Sequence, residues 1–270
     1  MHRPFSFATV TSAMTWQLTG ADTALPQRYP DEALCEFDVD ERARFLDAAG
    51  RPRHPGELPW ELLYRLEPEL YARLVRGERL HEGILTWLPA RCGRVLEIGA
   101  GTGRLTLDLA ARCDALVAIE PAAGLRAILE ARLRAAGAAN VTVLRGFFDA
   151  LPPAETGFDT VVCCSAFAVD ALDDPEGCLE VMASRCRPGG MLVVIWSGDD
   201  AAWLGLRGFE RVVFEGPMLV EYASIEEAVA MARIFYPGAV AAVTALHSRF
   251  VDFATLGIPA PRDLCWRRCG

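Results

Sequence analysis

The sequence contains no lysine: all 27 basic residues of its 270 are arginine. Against 36 acidic residues they leave a formal net charge of −9. That is the wrong sign for a surface that must neutralise phosphates, so nucleic acid is not expected as a partner. Apolar residues make up 52% of the chain, enough for a sizeable core. Yet no run of about 18 or more lacks a charge, so no membrane span is expected. Pro4 to Gly20 is free of charges but carries no continuous apolar stretch, and a secretory signal is not expected either. The four histidines (His2, His54, His81, His247) are scattered, and none of the nine cysteines falls in a Cys-x-x-Cys pair. No zinc or other metal site is therefore expected. An odd cysteine count argues against a complete disulfide framework, which points to a reducing cytoplasm with cysteines as small core residues.

What the chain does have is the stretch Val95 to Ala110. Val95 to Ile98 is a short apolar run, the pattern of a buried strand. Gly99, Gly101 and Gly103 follow at alternate positions, and Leu105, Leu107, Leu109 and Ala110 resume in a helical pattern. A strand, a glycine turn and a helix in this order offer free backbone N–H groups to a ligand. Glycine lets the ligand approach the backbone and permits positive φ. Leu116 to Glu120 reads as a second strand ending in an acid, which can accept ribose hydroxyls or cap the helix that follows Pro121. Glu97, inside the first strand, is a buried carboxylate that needs a partner. The dinucleotide fingerprint would require glycine or alanine where this chain has Arg104, so a nicotinamide cofactor is disfavoured.

Further strands are expected at Asn140 to Leu144, Phe158 to Cys164 and Met191 to Trp196, with a closing strand at Leu264 to Arg267. Helices are expected at Gly124 to Ala136, Glu176 to Arg185 and, from the Ser-Ile-Glu-Glu start, Ser224 to Phe235. Arg187-Pro-Gly-Gly190 reads as a turn. Strands alternating with helices predict a mostly parallel sheet covered on both faces, an α/β architecture. Before it, Trp60 to Leu88 carries leucines at helical spacing, divided at Pro68, and prolines 52, 55 and 59 mark a linker. Arg42 to Asp47 reads as a strand entering a turn at Ala48 to Gly50, and Phe5 to Leu18 has strand-like content. Residues 1–57 are thus an N-terminal extension and residues 58–270 the main domain.

Glu97-x-Gly99-x-Gly101-x-Gly103, Phe158-Asp159, Arg187-Pro-Gly-Gly190 and their order together resemble class I S-adenosylmethionine-dependent methyltransferases. The span from Phe158 to Trp196 is similar to a small-molecule branch whose fourth strand ends in Ala-x-Ala-Phe-His-Trp. Here Ala168 and Val169 replace that His and Trp. The resemblance implies a Rossmann-like fold with S-adenosyl-L-methionine as cofactor, and a cap built from the N-terminal extension and a late insertion. Trp60, Tyr64, Tyr71, Trp203 and Tyr222 are then candidates for the acceptor pocket. The implied cofactor-binding residues are Glu97, Gly99, Ala100, Gly101, Gly103, Glu120, Pro121, Phe148, Asp149 and Ser165. Glu97 would meet the methionine ammonium, and Ser165 would border the methyl group. Asp149 would accept the adenine amino group or else serve as a turn residue, and Phe148 would pack on adenine or in the core. No motif places a general base; Asp170, Asp173 and His247 are the candidates. The reading is methyl transfer to a small molecule, with nitrogen or carboxylate oxygen as the favoured acceptor. The alternatives are a protein or RNA methyltransferase and a nonenzymatic binding module.

Overall fold

A computed structural model of the chain describes residues 23–29, 37, 39–151 and 155–270; the Phe5 to Leu18 segment lies outside them. Nine strands are found among the described residues: β1 Arg94–Ile98, β2 Ala115–Ile119, β3 Val141–Leu144, β4 Phe158–Cys164, β5 Cys186–Ile195, β6 Glu210–Val213, β7 Leu219–Glu221, β8 Phe250–Asp252 and β9 Asp263–Arg268. Seven of them form one sheet in the order β3-β2-β1-β4-β5-β9-β6. β1 to β5 pair in parallel, and β9 runs antiparallel between β5 and β6. The strand order reverses between β1 and its two neighbours, which places the ligand crevice at the carboxyl ends of β1 and β4.

Alternation along the strands explains the two covered faces. Leu96, Ile98, Val161, Cys163, Leu192 and Val194 point to one face, where helices Pro175–Arg185 and Asp200–Gly205 supply Leu179, Met182 and Leu204. Val95, Leu116, Val162, Val193 and Ile195 point to the other, against Ile84, Leu88, Leu105 and Leu109. Helix Ala123–Ala136 lies on that second face through Leu129 and Leu133, and ends at Gly137 in the left-handed conformation. The expected strands and helices are therefore found, with ends displaced by a residue or so except at the start of β5.

Two local expectations are corrected. Residues 42–47 were expected as a strand, but Val39–Phe45 is a helix. Its Phe45 packs on Phe37 at 5.1 Å and on Phe147 at 6.1 Å, and this tertiary contact overrides the local alternation. Only Leu46 keeps a bridge, to Pro52, around the turn expected at 48–50. The segment 187–190 was expected as a turn but belongs to β5, which begins at Cys186. Phe158 pairs with Cys186 and Thr160 with Met191, so the extra residues form a bulge. The bulge is held by N–H bonds from Gly189 to the Cys269 carbonyl and from Cys269 to the Gly190 carbonyl.

A separate apolar cluster, the cap, sits beside the sheet; residues 58–77 and the late insertion build most of it, and of the expected N-terminal extension Leu25, Tyr29 and Phe37 join it. Helices Leu58–Leu66 and Pro68–Gly77, separated at Pro68 as expected, contribute Leu62, Leu63, Leu70 and Leu74. Residues 218–258, inserted between β6 and β9, contribute Val220, Met231, Phe235, Val243 and Val251. Helix Ile225–Phe235 starts as its sequence requires: Ser224 Oγ accepts from Glu227 N at 3.1 Å, and Glu227 reaches back to Ala223 N at 2.6 Å. Leu63 is fully buried where the two segments meet. Leu63→Ala should cost about 2–5 kcal/mol of stability, read by urea denaturation.

Candidate functional site

A narrow cleft, open to solvent, lies at the carboxyl ends of β1 and β4. The turn after β1 lines it with Gly99, Ala100, Gly101, Thr102, Arg104 and Leu105, and Glu97 lines it from the strand itself. Cys164 and Ser165 close it from β4, and Tyr71 and Val75 from helix Pro68–Gly77.

The three glycines serve different ends. All have positive φ. At Gly99 (φ +73°) a Cβ would stand 2.2 Å from the Ala166 methyl, so glycine lets the turn pack against the end of β4. At Gly103 a Cβ would meet Leu129 at 2.8 Å. At Gly101 (φ +56°) the Cβ direction is open, with Tyr71 Cε1 at 3.9 Å its nearest neighbour. Gly101 is thus the position where missing side-chain volume becomes cleft.

The sequence suggested that this turn offers free N–H groups, and here the structure corrects it. Gly99 and Ala100 donate to the Ile119 carbonyl at 2.9 and 3.0 Å, and Gly103 donates to Ala100 at 2.9 Å. Gly101 donates to Glu120 Oε2 at 2.9 Å. Parallel pairing of β1 with β2 brings Ile119 and Glu120 alongside the turn, and buried N–H groups take whatever acceptor is in reach. The following helix, Thr106–Ala110, has five residues and starts after the glycines.

Glu120 is buried just past β2. Its other oxygen accepts from Ala122 N at 2.8 Å, at the start of helix Ala123–Ala136. Burial pushes its pKa up to about 7, against the pull of these two N–H bonds. Each carboxylate oxygen retains a lone pair for a further donor. Pro121 follows, its carbonyl accepting from Arg126.

Glu97 is 1% exposed, and its Oε2 has no hydrogen-bond partner. Burial raises its pKa to about 8; the Thr106 hydroxyl opposes this and the Glu120 charge adds to it. A buried, unpartnered carboxylate lining a cleft is a receptor for a cation or a donor. Ser165 lies at the cleft mouth with φ +57°, a conformation that costs a non-glycine residue of order 1 kcal/mol or more. Its N–H is anchored on the Ile195 carbonyl at 3.2 Å.

Other expected residues lie elsewhere. Phe148 packs edge-on against Phe167 at 6.1 Å on the sheet's opposite face. Asp149 is exposed, its side chain 63% accessible, and pairs with Arg44 at 3.2 Å. Asp170 is exposed in the turn Val169–Ala171. Asp173 meets His54 Nε2 at 2.9 Å and Arg53 at 3.5 Å. His247 is exposed at the end of helix Val240–Leu246. None of these lines the cleft. Of the candidate aromatics, Tyr71 does; Trp60, Tyr64 and Tyr222 belong to the cap cluster, and Trp203 packs on Phe167 at 5.8 Å. The sequence reading missed Arg104 as a cleft residue. Its signal was an arginine directly after the last glycine of the turn.

Burial sets the pH response of the empty protein. Glu97 has a native pKa near 8, above the ordinary 4.5. The native state therefore keeps a proton that the unfolded chain loses between those values. Stability from this group is complete below about pH 4.5 and is lost as pH rises through about 8. Glu97→Gln, uncharged throughout, should flatten the fall of Tm between those pH values; an unchanged slope would assign the fall to other groups.

Residues 95–190 match the methyltransferase domain family. An uncharacterised methyltransferase of Mycobacterium tuberculosis is 33% identical over 119 residues, 44% of this chain and 46% of that protein. A phosphatidylethanolamine N-methyltransferase of Cereibacter sphaeroides is 38% identical over 109 residues, 39% of this chain and 51% of that protein. The aligned part thus spans about half the length of these relatives. Among solved structures, precorrin-6y C5,15-methyltransferase of Geobacter metallireducens superposes with a TM-score of 0.42 at 16% identity, over 51% of this chain and 75% of that one. The glycine turn, the acid after β2 and, Arg94 apart, strands β1 to β4 thus all lie within the stretch, residues 95–190, that is similar to a methyltransferase domain.

Proposed function

We propose that this chain binds S-adenosylmethionine in the cleft at β1 and β4 and transfers its methyl group to a small molecule held under the cap. The observation that carries this reading is Glu97: a buried carboxylate with an unpartnered oxygen, lining the space left open at Gly101. The ammonium of the cofactor's methionine portion fits that oxygen. Glu120, with capacity left on both oxygens, suits ribose hydroxyls. Bound there, the cofactor supplies an electrophilic methyl group on a sulfonium. What the residues contribute is alignment and exclusion of water, an effect worth up to ~7–11 kcal/mol of barrier.

The lining favours an acceptor that needs no base in the transition state. Burial raises the Cys164 thiol above its usual value and pushes Tyr71 up to about 12. Histidine is missing from the lining, and so is any carboxylate besides Glu97. A neutral alcohol would need a base within hydrogen-bond reach. An uncharged amine or a carboxylate attacks with its own lone pair while the departing sulfur keeps the bonding pair. The name of the Cereibacter sphaeroides relative, an N-methyltransferase, supports nitrogen. The formal charge of −9 supports a small acceptor over RNA.

Three measurements test this. S-adenosylmethionine and S-adenosylhomocysteine should raise the Tm of the purified protein and NAD should not; stabilisation by NAD alone would overturn the reading. Gly101→Val should abolish cofactor binding by filling the cleft. Glu120→Ala should weaken it by roughly tenfold or more, through lost charge-assisted bonds. For the acceptor, filter binding with mixed RNA at physiological salt should show no stable complex. Tight binding with a steep salt dependence would replace the small molecule with RNA.

A further inference from the structure

Arg104 is the one cation among the cleft-lining residues. Its side chain is 14% exposed, and it follows directly on the glycine turn. One edge of its guanidinium faces the cap, where Nη2 stands 4.0 Å from Glu78 Oε2, at the outer limit of an ion pair. The group also lies 5.6 Å from the centre of the Trp196 ring. Nη1 is buried and has no hydrogen-bond partner. A buried guanidinium N–H without an acceptor is expensive, and the cavity it lines is where an acceptor can arrive.

The same cleft holds a second unpartnered group of opposite sign, Glu97 Oε2. Two unpartnered atoms, one on a guanidinium and one on a carboxyl group that a bound cation would ionise, in one small cleft form the complement of a zwitterion. An α-amino acid end, with carboxylate and ammonium on a single carbon, has that charge pattern. We propose that Arg104 is the carboxylate receptor of this cleft and that, with Glu97, it grips the amino-acid end of S-adenosylmethionine. The inference rests on the cofactor reading above and adds the residue that recognises the carboxylate.

The arrangement explains why arginine stands here. A planar fork can give one edge to Glu78 and keep the other for the ligand, which a lysine ammonium cannot do with fixed geometry. Glu78 is itself buried, at the end of helix Pro68–Gly77, and accepts from the Tyr236 hydroxyl. Tyr236 follows helix Ile225–Phe235 of the insertion. The cap thus holds the back of the arginine through a buried carboxylate, making Glu78 and Tyr236 positioning residues for a group that touches the ligand.

The test is calorimetry with three ligands: S-adenosylhomocysteine, its decarboxylated analogue, and 5′-methylthioadenosine, which lacks the amino-acid end. Wild-type protein should bind S-adenosylhomocysteine roughly ten- to a hundredfold tighter than the decarboxylated analogue, the range of a charge-assisted contact. Arg104→Met should erase that difference, lowering affinity for S-adenosylhomocysteine alone and leaving the other two ligands within about threefold. Glu97→Gln should weaken both ammonium-bearing ligands and spare 5′-methylthioadenosine. Should Arg104→Met fail to fold, Arg104→Lys keeps a cation against Glu78 and should show the same selective loss. Equal weakening of all three ligands would make Arg104 a structural residue and overturn the proposal. Unchanged S-adenosylhomocysteine affinity with a raised KM for the acceptor would overturn it too, assigning the carboxylate to the acceptor. If wild-type protein binds none of the three, the cofactor reading falls, and this proposal with it.

Discussion

The geometry of the site depends on one carboxylate. Glu120 accepts N–H bonds from Gly101 and from Ala122, so a single side chain ties the turn after β1 to the helix that follows β2. Neither N–H lies in a regular ladder, and each would otherwise be a buried orphan. Burial opposes the charge strongly enough to raise the group's pKa to about 7, and the two short bonds offset much of that cost. The turn in this shape opens the cleft at Gly101 and brings Arg104 and Glu97 to its lining. The function proposed above gives the same carboxylate the ribose, so binding and local structure would draw on one group.

Around this clamp three carboxyl groups are buried together, and one oxygen of Glu97 has no hydrogen-bond partner. Glu78, Glu97 and Glu120 are buried, and burial raises the pKa of each. Of the three, Glu78 has Arg104 as its ion partner. Such an arrangement costs stability, and the cost concentrates at the cleft. The positive φ of Ser165 and of Trp196, just past the ends of β4 and β5, adds backbone strain on the same edge of the sheet.

How much of this the sequence disclosed follows the range of the interactions. The sheet strands of residues 94–195, the helix break at Pro68 and the Ser224 cap were legible because adjacent residues determine them. The helix at Val39–Phe45 was not, since Phe45 finds its partner Phe147 about a hundred residues later. Nor was the bulge at 187–190, which is held by the backbone of Cys269. In the site, Glu97 and Glu120 could be read as acids flanking a glycine turn. That Glu120 would take the N–H of Gly101 depends on strand register, which spacing alone does not give. Arg104 could be read only as a break in a dinucleotide motif, because its neighbours Glu78 and Trp196 come from the cap and from the end of β5.

The cap and the cleft are therefore coupled by construction. Residues 58–77 and 218–258 lie far apart in sequence yet share one apolar cluster, with Trp60 stacked on Phe235 at 5.7 Å. Neither segment could bury its leucines and aromatics alone. Their joint core reaches the site through three side chains: Tyr71 on the wall, and Glu78 with Tyr236 behind Arg104. Helix Ala123–Ala136 receives the same core closely, since a Cβ at Gly124 would stand 2.7 Å from the Pro68 ring. A displacement of the cap would thus shift the arginine and the tyrosine together, while the Glu120 clamp, made by a side chain at the end of β2 to the N–H groups of Gly101 and Ala122, involves no cap residue. The cleft is therefore walled on one side by the sheet edge and on the other by side chains that the cap holds in place.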